Sequence, residues 1–177
     1  MSNGSTEPRP FTGMQWTPRP CSPGVETRSL ALFNRTFRWS GTIPPNAAGP
    51  GSPEMETEGR LTGAWILDGL WLSCELEQDQ YIQGRKMLTW KARLLIGWDM
   101  VAQEYRAVGV DSNGVAFLFG GEFEGDRLVM YSARETPAQL RFTWDISDPN
   151  AIVWTAEMSV DGGPWQPVGE RILKPVA

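Results

Sequence analysis

Turn-forming residues recur about every ten positions between residues 68 and 163, and the stretches between them are rich in aromatic side chains. Such residues adopt positive φ or make the tight reversals that hairpins need. No helical period of comparable length competes with this pattern. It predicts an all-β fold of antiparallel hairpins, with turns at Asp68-Gly69, Gly97, residues 111–114, Gly125-Asp126, residues 147–150 and residues 161–163.

The stretches between the turns predict about ten strands. Because most connections are short, we expect neighbouring strands to pair up and down and to close into a single antiparallel barrel without exposed edges. A Greek-key sandwich is the alternative, but it needs longer crossovers than the sequence offers after residue 54. The predicted strands are residues 35–43, 54–67, 70–77, 87–96, 103–110, 115–123, 127–135, 139–146, 151–160 and 166–173.

The stretch 54–67 shows the clearest division between an inner and an outer strand face. Its even positions 54–60 are Glu, Glu, Glu and Arg, whereas its odd positions carry apolar or small residues. Successive side chains of a strand point to opposite faces, so the odd positions face the interior. Gly59 and Gly63 on that face predict the strong bending that a small barrel requires.

Length and composition predict one folded domain. The chain has 177 residues, of which 41% are hydrophobic and 21% charged, which is enough for one core. Its formal net charge of -5 lacks the clustered excess of Lys and Arg that phosphate binding needs. We therefore expect no nucleic-acid partner, and we divide the chain into an arm, residues 1–27, and a barrel, residues 28–177.

The arm and one later loop are irregular. Five prolines within residues 1–24 break any helix or strand, which favours a disordered segment. Alternatively the arm is a lid, because Phe11, Met14 and Trp16 are spaced apolar anchors. A short helical turn at 27–33 is predicted to plug one end of the barrel, and the Pro- and Gly-rich loop 44–53 is predicted to hang over a mouth.

Histidine is absent, which removes the commonest general base and transition-metal ligand. The two cysteines, Cys21 and Cys74, do not form a disulfide framework, and no secretory signal or long apolar run is present. These features predict a cytoplasmic protein without a metal site and without a membrane partner.

Four short motifs, in this order, resemble a family: Leu30-Ala31-Leu32-Phe33, Phe37-Arg38-Trp39-Ser40-Gly41, Leu67-Asp68-Gly69, and Gly97-Trp98-Asp99 leading into Tyr105. They are similar to those of bacterial lipocalin-like barrels that are catalogued as a domain of unknown function, over residues 28–174. The resemblance implies a calycin-type barrel with an internal cavity and no established reaction. A related haem-binding branch depends on a proximal His, so no haem, and no other cofactor, is expected here.

Nine tryptophans are many for this length, and most fall in predicted strands. Core packing accounts for some of them, but together with the strand phenylalanines they predict an aromatic cavity for a flat or polyenic apolar ligand. The candidate ligand-binding residues are Phe37, Trp39, Trp65, Trp90, Phe117, Phe119, Arg134, Phe142, Trp144 and Trp154.

Three polar residues are candidates for catalysis. Tyr105 and Tyr131 can donate a hydrogen bond to a ligand carbonyl and so polarise it without His. Glu157 is a candidate for a buried carboxylate that polarises the substrate, although strict alternation places it on the face opposite Trp154 and Met158. An outward ion pair is the alternative for the acid.

Three hypotheses follow. The first is a barrel that binds a small apolar or aromatic molecule. The second is a cofactor-independent cyclase or isomerase that folds a specialised, polyketide-like metabolite inside the barrel. The third is a structural protein with a filled interior and an exposed apolar patch. The sequence does not predict the oligomeric state.

Overall fold

The computed structural model describes residues 22–133 and 137–176. Within them, a short helix, α1 (Val25–Ser29), and a 3-10 turn (Ala31–Phe33) precede ten strands, and a second 3-10 turn (Leu67–Gly69) follows the second strand. The strands are β1 (Thr36–Ile43), β2 (Met55–Ile66), β3 (Trp71–Ile82), β4 (Arg85–Asp99), β5 (Glu104–Asp111), β6 (Ala116–Glu124), β7 (Arg127–Ser132), β8 (Ala138–Asp145), β9 (Ile152–Val160) and β10 (Gln166–Pro175).

Each strand pairs antiparallel with its neighbours along the chain, and β1 pairs with β10 to close the sheet. The closing register places Gly41 opposite Arg171. The prediction of an all-β, up-and-down antiparallel barrel is therefore confirmed, and the sandwich alternative is wrong. Full closure leaves no unpaired strand edge.

The predicted division of β2 is present in the barrel wall. Met55, Thr57, Leu61 and Gly63 are buried, while the acidic positions between them are exposed. The two inner glycines also make room for neighbours, because a Cβ at Gly59 would overlap the Trp39 indole and one at Gly63 would overlap the Phe33 carbonyl.

One end of the barrel is closed by the N-terminal helical segment. Leu30 and Phe33 are buried in the same core as Phe37 and Leu72. Backbone bonds fix the segment to the rim, as the Gly63 amide donates to the Arg35 carbonyl at 2.9 Å. The helical turn predicted at 27–33 is thus present and forms the closed end of the barrel.

The opposite end is the mouth, and the loop 44–54 lies over it as predicted. The Asn46 amide donates to the Ser52 carbonyl at 2.9 Å, and the Asn46 side chain accepts from the Gly51 amide at 2.8 Å. These bonds fold the loop back on itself. Ala47 and Ala48 of this loop line the cavity at the mouth.

Two predicted boundaries in the middle of the chain are wrong. Gly97 is not a turn, because it lies inside β4, where the Trp71 ring packs over it; the reversal comes later, at residues 100–103. Residues 78–86 were predicted as a connection, but they complete a long hairpin of β3 and β4. Its two-residue turn is Gln83-Gly84, both at positive φ.

No helix among the described residues is long and apolar enough to cross a membrane.

Candidate functional site

A cavity of about 340 Å³ occupies the barrel between the closed end and the mouth. Its walls are mainly apolar and come from all ten strands, because each strand directs alternate side chains inward. Seven of the lining side chains are aromatic rings of the strands: Trp39, Trp90, Phe117, Phe119, Phe142, Trp144 and Trp154.

The rings on β6, β8 and β9 form a continuous row. The ring centroids of Phe117 and Phe119 are 6.4 Å apart, and those of Phe119 and Phe142 are 4.6 Å apart. Phe142 in turn lies 5.3 Å from Trp154 and 6.0 Å from Trp144. Offset and tilted ring pairs at such distances are attractive. The row presents one apolar aromatic surface to the cavity.

Arg171 lies at the β10 side of this row. Its guanidinium carbon is 4.3 Å from the centroid of Trp154 and 5.5 Å from that of Trp39, so it contacts an indole on each neighbouring strand. Cation–π contacts of this kind hold a guanidinium in place when it is out of water. They do not neutralise its charge.

No acidic side chain lines the cavity among the described residues, and no ion pair or hydrogen bond joins Arg171 to another described residue. Burial lowers the pKa of Arg171 to about 10. The side chain therefore remains protonated at neutral pH, as a partly buried cation without a counter-charge among the described residues. Such a charge is costly unless something pairs with it.

Further polar groups without partners lie on the strands next to Arg171. Trp39 Nε1, Thr57 Oγ1 and Gln78 Oε1 are buried and have no hydrogen-bond partner in the described structure. The strand register explains why they are close, since Trp39, Gly59 and Gln78 occupy one row across β1, β2 and β3. Arg171 and Gln78 thus place polar side chains among apolar ones on the lining from β10 to β3, which we call the polar wall, whereas the wall from β6 to β8 is aromatic.

Trp90 and Cys74 complete the lining in different ways. Trp90 is held by a hydrogen bond from its Nε1 to Asp111 Oδ2 at 2.9 Å, and the Asp111 carboxylate also accepts amides of the β5–β6 turn. Burial raises the pKa of the Cys74 thiol to about 12, so it stays protonated. Cys74 therefore acts as a small apolar wall residue, as expected for a cysteine without a partner base.

Within the described residues, no group of three or more Cys, Asp or Glu side chains is arranged to hold a metal ion.

Comparison with known proteins identifies the family. The model of a family described as "Protein of unknown function (DUF1579)" matches residues 34–171. The chain belongs to this family. No curated protein has a significantly similar sequence. Among solved structures, the DUF1579 barrel described here is similar to the crystal structure of Rv2717c from M. tuberculosis, with a TM-score of 0.61 and 12% sequence identity over 87% of this chain and 99% of that chain. At this identity the likeness concerns the fold alone.

The structure of this DUF1579 protein separates the candidate ligand-binding residues into three groups. All except three line the cavity. Phe37 and Trp65 also point inward but lie at the level of the closed end, where the helical segment fills the interior, so they do not line it. Arg134 lies outside the described residues.

None of the three candidate catalytic residues lines the cavity. Tyr105 belongs to the closed end, where its hydroxyl donates to the Glu26 carbonyl at 2.9 Å and its ring packs edge-on against Trp98 and Phe123. Burial raises the pKa of this phenol. It is thus engaged with the backbone of α1 and directed away from the cavity.

Tyr131 and Glu157 lie on the outer surface of the barrel. Tyr131 is 43% exposed and packs against Trp165. Glu157 accepts a 2.7 Å hydrogen bond from Arg141 Nε, because the β8–β9 register places these two residues side by side. Strict alternation applies in β9, so Trp154 faces inward and Glu157 outward.

The sequence did not predict Arg171 as a site residue, because the alternation of β10 does not show that this side chain points inward. The strand β10 contains a bulge between Pro167 and Gly169, which shifts the alternation. The adjacent Ile172 and Leu173 give no alternation signal of their own. The available signal was the tryptophan on each neighbouring strand, but only the register shows that Trp154 lies opposite Arg171.

Proposed function

We propose that this DUF1579 barrel is a lipocalin-like binding protein that holds a small apolar or aromatic molecule in its cavity. The observation that carries the proposal is the cavity of about 340 Å³ with its row of aromatic rings. Protein interiors are close-packed and rarely contain voids much larger than a water molecule. Ligand pockets begin at about 300 Å³ and are lined mainly by apolar and aromatic side chains with a few polar groups.

The cavity has less support as the site of a cyclase or isomerase. The candidate proton donors and acceptors, Tyr105, Tyr131 and Glu157, lie outside it. Cys74 and Arg171 are the titratable side chains that line it among the described residues, and both are protonated at neutral pH. A structural protein with a filled interior is also less well supported, because a void of this size lies in the barrel.

A cavity-filling substitution tests the proposal. Ala156 lines the cavity on β9, whereas Ala64 is exposed on the outside of β2. We expect 2-naphthol to quench the tryptophan fluorescence of the wild-type full chain in a saturable way. The substitution Ala156→Phe should abolish saturation because the new ring occupies the ligand volume. Ala64→Phe is the matched control and should bind as the wild type does.

Two results would contradict the proposal. One is unchanged affinity in Ala156→Phe, with native mass spectrometry showing the same bound mass in both variants. The other is the absence of any saturable binding to the wild type across a panel of neutral aromatic and aliphatic probes.

A further inference from the structure

The cavity combines two chemically different walls that meet at Trp154. On one side lies the aromatic row that begins with Phe142, 5.3 Å away from Trp154. On the other side lies the Arg171 guanidinium, 4.3 Å from the same indole. A molecule that fills the space beside this tryptophan touches both walls. Its apolar body and a polar group would therefore lie close together.

The polar wall is built to receive negative charge. Arg171 is a cation with no anionic partner among the described residues, and the Trp39 indole N–H next to it donates to none of them. Both groups are hydrogen-bond donors, and a guanidinium has a planar fork that fits two oxygens of one carboxylate. The guanidinium lines the cavity, so a ligand that pairs with it there gains affinity from charge-assisted hydrogen bonds.

One guanidinium neutralises a single negative charge. Among the described residues no second Lys or Arg lines the cavity, and no long helix directs its N-terminus into it. Sites for phosphate groups usually combine several cations or a helix N-terminus with backbone amides. The charge of this wall therefore matches a monocarboxylate better than a phosphate ester.

We infer that the molecule held in this cavity is an amphipathic monocarboxylate, with its carboxylate on the Arg171 guanidinium and its apolar body against the Phe142–Phe119 rings. The inference rests on the proposed function and adds the chemical class of the ligand. The cavity volume of about 340 Å³ lies at the lower end of the range of small-molecule pockets.

The local packing preserves space for this arrangement. Gly59 leaves room for the Trp39 indole, because a Cβ there would overlap the ring. This glycine thus allows the indole to lie along the wall next to Arg171. Burial also lowers the pKa of Arg171 because it removes water from the charged guanidinium, and a bound carboxylate would offset this loss of solvation.

The test compares pairs of probes that differ only in charge. Isothermal titration calorimetry at pH 7 would measure binding of 1-naphthoate and 1-naphthamide, and of decanoate and decanamide, to the full chain. We expect the carboxylate of at least one pair to bind about tenfold or more tightly than its amide, the effect of one charge-assisted hydrogen bond. The pair with the larger ratio shows whether the body of the ligand is a ring system or a chain.

Substitution of Arg171 then assigns the preference to one residue. In Arg171→Met the carboxylate-to-amide ratio should fall to about one, while the amide still binds, because methionine keeps the apolar volume without charge. Arg171→Lys should keep part of the ratio, since an ammonium retains the charge but loses the planar fork. Arg60→Met, on the exposed outer face of β2, is the matched control and should keep the full ratio.

The outcomes separate the two proposals. If amides bind as tightly as carboxylates to the wild type, the monocarboxylate inference is overturned and the binding function stands. An unchanged ratio in Arg171→Met overturns the role of this arginine. If neither member of either pair binds, and the neutral panel fails as well, the binding function itself is wrong. The wild-type ratio needs no variant, so it decides the inference even if a substitution prevents folding.

Discussion

At its closed end the barrel is packed with apolar side chains, whereas nearer the mouth it encloses a cavity whose wall contains polar groups without partners in the described part of the chain. Leu30, Phe37 and Leu72 at the closed end are fully buried. In the cavity wall, by contrast, Trp39, Gln78 and Arg171 have polar or charged groups without a partner among the described residues. The same strands build both regions, so the difference lies in the side chains and in the helical segment that fills one end. We therefore expect substitutions of buried rings at the closed end to cost more stability than substitutions of rings that border the cavity.

The largest expected effect is at the closed end. Phe37→Ala should lower the free energy of unfolding by about 3–5 kcal/mol, the usual cost of removing a fully buried ring. Phe142→Ala in the cavity wall should cost less than half as much, because its ring already borders an open space. Urea denaturation of both variants measures the comparison. Equal losses would contradict the distinction between a packed end and an open cavity.

A smaller loss is expected at Gly59, where the two regions meet. In Gly59→Ala the new Cβ would overlap the Trp39 indole, which must move toward the cavity. Such overpacking costs about 1–3 kcal/mol, and the displaced ring should also weaken binding of 2-naphthol. Combining Gly59→Ala with Trp39→Phe should recover part of both losses in a double-mutant cycle. Additive effects would show that the two residues are not in contact.

Alternation and turn chemistry made most of this architecture predictable. The inner face of β2 and the turns at Asp68-Gly69 and Asp161-Gly162 follow directly from residue types with clear geometric preferences. The Gln83-Gly84 turn was missed because glutamine is a weak turn signal compared with asparagine or aspartate. Gly97 was predicted as a turn but lies inside a strand, because a glycine in a strand can make room for a neighbouring ring, here that of Trp71.

The candidate site was less predictable. A residue lines the cavity only if it lies on the inner face of its strand and also at the level of the barrel that the helical segment leaves open. Phe37 and Trp39 both point inward, yet only Trp39 reaches the cavity, since the level at which the helical segment ends is a tertiary property. The bulge in β10 concealed the inward direction of Arg171. The aromatic residues of the cavity could be recognised from residue type alone. The single cation, Arg171, could be recognised only from the strand register.

Tyr105 provides a test that separates structure from function at the closed end. Tyr105→Phe keeps the ring between Trp98 and Phe123 but leaves the Glu26 carbonyl without its donor. We expect the free energy of unfolding to fall by about 0.5–1.5 kcal/mol, and the amides of α1 to exchange faster with solvent. Binding of 2-naphthol should not change. A loss of binding without a loss of stability would show that Tyr105 takes part in ligand binding.

The pH dependence of this contact has a defined sign. Burial raises the pKa of Tyr105 above the ordinary tyrosine value of 10.0. A group whose pKa is higher in the folded state contributes stability that is complete below the unfolded pKa and is lost as pH rises through the folded value. The difference in stability between wild type and Tyr105→Phe should therefore be constant from pH 6 to 9 and decrease above pH 10. A difference that grows with pH above 10 would contradict the assignment.

The smallest effect, and the only one with the opposite sign, is expected at Thr57. Its hydroxyl is buried in the polar wall without a partner in the described structure, whereas the Thr36 hydroxyl near the closed end lies 3.3 Å from that of Thr62. Replacing an unpaired buried hydroxyl with a methyl group of similar shape removes a desolvation cost. Thr57→Val should therefore raise the free energy of unfolding of the ligand-free protein by up to about 1 kcal/mol, while Thr36→Val should lower it by a similar amount. Thermal unfolding followed by circular dichroism measures both. Destabilisation by Thr57→Val would show that the hydroxyl has a bound partner in solution, and the contrast between the paired Thr36 hydroxyl and the unpaired Thr57 hydroxyl would then fail.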